Sequence, residues 1–140
     1  LPAMRERRYG KIINIASMSG HAGRRMGGGY AAGKATVLRY TKGLAGEVAA
    51  ENINVNAICP GAVWTKFQNH LNDLANPDTL TPMETDAYTK FLERYAQTIP
   101  MGRPQSPADI GNIAAFLASD DAANITGQCH HVDGGAVLRD

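Results

Sequence analysis

The chain has 140 residues, 44% of them hydrophobic, enough for one modest domain with a packed core. Its formal net charge is +1, with Lys and Arg spread among Asp and Glu, which excludes a broad basic footprint for nucleic acid or an anionic membrane. No apolar run approaches the ~18 residues of a membrane-spanning helix, and Leu1–Arg8 does not read as a signal sequence, so a cytoplasmic protein is expected.

The opening run Leu1-Pro2-Ala3-Met4-Arg5-Glu6-Arg7-Arg8, without an initiator methionine, reads as the tail of a helix entered midway. The cluster Arg5, Arg7, Arg8 and Lys11 reads as its solvated end. After Gly10, residues 11–16 form a short β-branched apolar run, the pattern of a strand buried in a parallel sheet. From Tyr30 to about Ala50, Val37, Leu38, Leu44 and Val48 recur at helical spacing among alanines. Asn52 suits the end of that helix, and Ile53–Cys59 reads as a second strand stopped by Pro60-Gly61.

Residues 66–100, interrupted by Pro77, Pro82 and Pro100, contain short amphipathic pieces such as Ala87–Ala96, and are expected to form a substrate-loop lid. Ser106-Pro107-Ala108-Asp109 combines an N-cap serine, a proline at the first helical position and an acid at the third, predicting a helix to Ala118. Gln128–Val132 is the last predicted strand, ended by Asp133-Gly134-Gly135. The alternation of strands and helices predicts an α/β doubly wound sheet whose parallel strands are joined by right-handed crossovers. In that sheet Cys59 and Cys129 are expected as buried thiols about four residues apart along neighbouring strands, too far for a disulfide.

An open α/β sheet binds ligands outside the carboxyl ends of its strands, where Ser17 and the Pro60-Gly61 turn fall and where Tyr30 opens a helix. Tyr30 and Lys34 stand four residues apart on one helix face, so the ammonium is expected near the phenol, favouring the phenolate. A serine donating to a carbonyl oxygen, a tyrosine giving it a proton and a lysine supporting the tyrosine suit carbonyl reduction. None of these groups supplies a hydride, so a nicotinamide cofactor, NAD or NADP, is expected.

Gly20, Gly23, Gly27, Gly28 and Gly29 read as a flexible substrate-side loop, because no strand runs into a phosphate-binding glycine pattern there. His130, His131 and Asp133 invite a metal, yet adjacent strand residues point to opposite faces, so a structural role is expected and no metal site. His21 reads either as a substrate contact or as a solvated loop histidine. Trp64 and Phe67 read either as pocket lining or as anchors of the lid.

Taken in order, these motifs resemble the short-chain dehydrogenase/reductase family in its single-domain branch. The resemblance rests on Ser17 in Asn14-Ile15-Ala16-Ser17, on Tyr30-x-x-x-Lys34, on Asn56, and on Pro60, Gly61, Val63 and Thr65. Arg103, Pro107 and Asp109, then Gly127 and Val132-Asp133-Gly134-Gly135, complete it. It implies the C-terminal half of a Rossmann fold, with the Gly-rich phosphate turn preceding Leu1, and interconversion of a secondary alcohol and a ketone with NAD or NADP. By the same resemblance Ser17 orients the carbonyl, Tyr30 is the acid or base, and Lys34 also holds the nicotinamide ribose. Pro60, Gly61, Val63 and Thr65 would wrap the nicotinamide, and Ser17, Ser19, His21 and Ala62 would meet a small alcohol or ketone. Polyols, sugars and 3-oxoacyl thioesters all fit, and a homotetramer or homodimer is implied for the full-length parent. The rival readings are an epimerase or dehydratase of the extended relatives, and a noncatalytic or inactive fragment.

Overall fold

Strand β2 (Ile53–Pro60) is buried from Ile53 to Cys59, which only a strand covered on both faces can be. A computed structural model describes residues 1–21, 28–65 and 85–138. In it β2 lies between β1 (Gly10–Ile15) and β3 (Cys129–Val132), all parallel, in the order β1-β2-β3. The predicted strands are therefore present, with ends shifted by a residue, in the predicted α/β parallel sheet.

Period-2 alternation along β2 divides the core into two layers. Ile53 and Val55 pack with Leu44, Ala45 and Val48, while Ala57 and Cys59 pack with Leu38. Those partners lie on helix α2 (Gly28–Val48), whose buried Leu38, Thr41, Leu44, Ala45 and Val48 form one stripe at helical spacing. On the other face Ile58 meets Leu117 and Ala122, with Ile110, Ile113 and Ala114 packed around them. Most of these belong to helix α4 (Pro107–Ala118). The two connections step across the sheet in the same direction but carry their helices on opposite faces, so they are of opposite hand. That departs from right-handed crossovers throughout.

The helix ends follow local chemistry. Ser106 Oγ accepts from the Asp109 backbone N–H at 3.2 Å, the Asp109 carboxylate accepts from the Ser106 N–H at 2.7 Å, and Pro107 occupies the first turn. Helix α2 passes through a 3-10 turn (Ala49–Glu51) to Asn52, which takes the left-handed conformation at φ 59°. Its start is earlier than expected: Gly28 and Gly29 are helical and Gly20 sits in a 3-10 turn, not in a loop. Gly23 and Gly27 lie outside the described residues.

Arg5, Arg7 and Arg8 are exposed, as expected of a solvated helix end, and they also have partners. Around α1 (Pro2–Glu6), Arg5 pairs with Glu51 at 3.2 Å, Arg8 donates to the Ala50 carbonyl at 2.7 Å, and Lys11 donates to Asn54 Oδ1 at 2.8 Å. They clamp the entry of β1 to the junction of α2 and β2. Of the proposed lid, helix α3 (Thr85–Ala96) is described, while residues 66–84, with Phe67, lie outside the described residues. Phe91 of α3 packs with Ala62 and Ile99, and Trp64 lies 4.9 Å from its ring, so Trp64 anchors this helix.

The cysteines are closer than expected. Cys129 pairs with Ala57 and Cys59 with His131, so the two free thiols are offset by two register positions, because β3 pairs only with the second half of β2. Burial, and then the neighbouring Cys129, push the Cys59 thiol up to about 11. Among the described residues no helix is long and apolar enough to cross a membrane.

Candidate active site

Where β1 ends, the Ala16 N–H still donates to the Ile58 carbonyl at 2.8 Å, and Ser17 then caps a 3-10 turn (Met18–Gly20). Ser17 Oγ accepts from the Ser19 N–H at 3.1 Å, which leaves its own O–H to donate elsewhere. The turn is pressed against α2. A Cβ on Gly20 would lie 2.8 Å from the Lys34 carbonyl carbon and 3.0 Å from the Ala35 nitrogen, so main chain meets main chain where a side chain has no room.

Lys34 Nζ donates to the Ile15 carbonyl at 2.9 Å and lies 5.7 Å from the centroid of the Tyr30 ring. The shared helix face expected for Tyr30 and Lys34 is present, within cation–π reach.

The turn after β2 is held from the far side of the chain. Gly61 N–H donates to the Val132 carbonyl at 2.9 Å, Gln105 N–H donates to the Ala62 carbonyl at 2.9 Å, and Val63 forms a parallel bridge with Gln105. A Cβ on Gly61 would come within 2.8 Å of Asp133 Cα, so glycine allows the β2 and β3 ends to converge.

These elements enclose a cleft of about 500 Å³ at the carboxyl edge of the sheet. Ser17, Ser19, Tyr30 and Lys34 line one side, and Pro60, Gly61, Ala62, Val63 and Thr65 another. His21 does not line it; its ring lies 4.9 Å from that of His131. Tyr95, Pro107 and Ile110 line the cleft without having been singled out as site residues. Tyr95 sits in the recognisable amphipathic piece 87–96, whereas Pro107 and Ile110 reach the cleft only because of the face α4 takes, which no local pattern specifies.

The donor set fits the nicotinamide and ribose end of a dinucleotide. Hydroxyls of Ser17, Tyr30 and Thr65 and the Lys34 ammonium stand beside the apolar surfaces of Ile15, Pro60 and Ile110. Lys34 is the one cation among the described lining residues, so the pyrophosphate finds no cluster of charge here.

A parallel α/β sheet with a Ser, a Tyr and a Lys lining the cleft at its carboxyl edge is Rossmann-type in architecture. The chain belongs to the short-chain dehydrogenase/reductase family: the family model described as Enoyl-(Acyl carrier protein) reductase matches residues 1–137. It is 39% identical over 135 residues to the 3-oxoacyl-[acyl-carrier-protein] reductase FabG of Rickettsia felis, covering 96% of this chain and 49% of that protein. It is 40% identical over 132 residues to an acetoacetyl-CoA reductase of Shinella zoogloeoides, covering 94% and 48%. A solved oxidoreductase of the short chain dehydrogenase/reductase family from Burkholderia thailandensis superposes with a TM-score of 0.78 at 33% identity, over 96% of this chain and 48% of that one. The chain thus spans about half the length of the curated relatives it matches.

Proposed function

We propose that this chain forms the catalytic half of a nicotinamide-dependent reductase that interconverts a ketone and a secondary alcohol. The observation that carries this reading is the convergence of Ser17, Tyr30 and Lys34 with the Pro60–Thr65 turn on one cleft. When bound there, NADH or NADPH supplies a hydride to the carbonyl carbon. Ser17 O–H donates to the carbonyl oxygen and orients it, its oxygen being steadied by the Ser19 N–H. Tyr30 Oη gives its proton to that oxygen as negative charge develops, and takes it back in the oxidative direction. Lys34, held by the Ile15 carbonyl, is the cation facing the phenolate that remains. Lys34 would also hold the ribose hydroxyls, and Pro60, Gly61, Val63 and Thr65 would flank the nicotinamide. Ser19 and Ala62, which line the cleft, would meet the substrate chain.

Of polyols, sugars and 3-oxoacyl thioesters, the last is supported by the names of the two relatives above. Residues 66–100 would act as the lid over the substrate, with α3 seated on Trp64 as its described part. The full-length protein, given NADH or NADPH and acetoacetyl-CoA, is expected to consume nicotinamide absorbance. Tyr30→Phe should lower kcat/KM by at least ~100-fold without changing the circular dichroism spectrum. Retention of most activity in that variant would remove Tyr30 from the proton-transfer role.

A further inference from the structure

We propose that His21, Cys59 and His131 form a binding site for zinc, on the α2 side of the sheet behind the cleft. Their ligand atoms all lie within 4.8 Å of one another. Each comes from a separate element: Cys59 and His131 are direct partners in the β2–β3 register, and His21 follows the 3-10 turn that Ser17 caps. The two imidazoles already adjoin, with centroids 4.9 Å apart and planes tilted by 40°.

A fourth residue completes the arrangement. Asp133 Oδ2 stands 3.2 Å from His131 Nδ1, and the same carboxylate accepts from the Gly135 N–H at 3.0 Å and the Val137 N–H at 3.2 Å. Asp133 is only 4% exposed, so its orientation is set by main chain. A carboxylate fixed on one imidazole nitrogen selects the tautomer and presents the other nitrogen, Nε2, to a metal.

The donor chemistry discriminates among cations. One thiolate and two imidazoles suit a borderline-soft ion, whereas calcium and magnesium require oxygen ligands. Zinc bonds of ~2.0–2.3 Å in a tetrahedron place ligand atoms ~3.5 Å apart, which rotation of His21 on its turn can reach. Binding exchanges the Cys59 S–H bond for an S–Zn bond and releases that proton to solvent, and water takes the fourth position. Sequence reasoning, which weighed His130, His131 and Asp133 as chain neighbours, expected no metal. The site instead depends on Cys59 and His21, brought to His131 by strand register and by the turn. Bound zinc would tie the Ser17 turn to β2 and β3.

Titration of the reduced 140-residue chain with Co2+ tests the site. The expected result is a saturable 1:1 thiolate-to-cobalt charge-transfer band with tetrahedral visible bands, displaced by Zn2+, and a rise in Tm with zinc. Cys59→Ser and His21→Ala should each abolish saturable binding, Cys129→Ser should retain it, and Asp133→Asn should weaken it by ~10–100-fold. Should Cys59→Ser fail to fold, His21→Ala decides. Absence of the charge-transfer band in the unsubstituted chain, or an undiminished band in folded His21→Ala, would overturn the proposal.

Discussion

Lys34 Nζ donates to the carbonyl oxygen of Ile15 at 2.9 Å, tying the helix that carries Tyr30 to the last residue of β1. The groups assigned to proton transfer and to carbonyl orientation come from different elements, and this bond spans them. Replacing Lys34 with Met keeps much of the stem but removes the donor. Urea denaturation should show a loss of about 0.5 kcal/mol, the low end of the range for one net hydrogen bond, because this one is exposed. An unchanged midpoint would mean that the contact does not hold the two elements together.

Gly20 brings the 3-10 turn that follows β1 onto the same helix without any side chain. Gly20→Ala forces a methyl against the Lys34 and Ala35 backbone, which cannot rotate aside as a side-chain tip can. A destabilisation of about 1–3 kcal/mol is expected, typical of overpacking. In the full-length protein the same variant should reduce turnover more than Tyr30-independent cofactor binding, because the Ser17 turn moves. Equal stability of Gly20→Ala and the parent in urea would refute the close approach.

Asn56 Nδ2 donates to the Ile125 carbonyl at 2.8 Å, and its Oδ1 accepts from the Gln128 N–H at 3.1 Å. The side chain thereby stitches the approach to β3 onto β2 from a buried position. Asn56→Ala leaves the Gln128 N–H without a partner, while the Ile125 carbonyl keeps its bond from Asn54 Nδ2 at 3.1 Å, and should cost about 1–3 kcal/mol, the range for one unsatisfied buried group. The measurement is the urea midpoint with an unchanged m-value; a shift below a few tenths of a kcal/mol would contradict this role.

The N-terminus of α4 carries a pH signature. The Arg103 guanidinium first, and then the Ser106 backbone and hydroxyl, hold the Asp109 carboxyl well below the usual carboxylate range. A carboxyl depressed in the folded state binds fewer protons than in the unfolded chain, so its contribution is present above the unfolded value of ~3.9 and is lost as pH falls towards the folded one. Asp109→Asn should therefore flatten the acid limb of the stability profile below pH ~4. Superimposable profiles for the two proteins would show that the capping network carries no linkage.

What was legible in the sequence was whatever a few adjacent residues decide. The capping box at Ser106 and Asp109, the left-handed stop at Asn52 and the common face of Tyr30 and Lys34 all follow from spacing and local stereochemistry. That Ser17, Tyr30, Lys34 and the Pro60-Gly61 turn share one cleft was legible for the further reason that strand ends converge at one edge of such a sheet. What escaped depended on register and on choice of face. Cys59 and Cys129 were placed too far apart because nothing local says that β3 begins opposite Ala57. Pro107 and Ile110 looked like a mere helix start, and the partners of the exposed Arg5 and Arg8 went unseen, because those neighbours lie tens of residues away.

Strand β2, flanked on both edges and covered on both faces, has a consequence for how the molecule opens. The Ala57 N–H donates to the Gln128 carbonyl at 2.8 Å and the Val55 N–H to Thr126 Oγ at 3.0 Å, so deuterium should enter both only when the β3 side of the sheet comes away from β2. Ile15, 48% exposed at the mouth of the cleft, belongs to the opposite extreme. The molecule thus contains its own pair of clocks: a slow one at its centre that counts partings of β3 from β2, and a fast one at its rim that counts local breathing where the chemistry would occur.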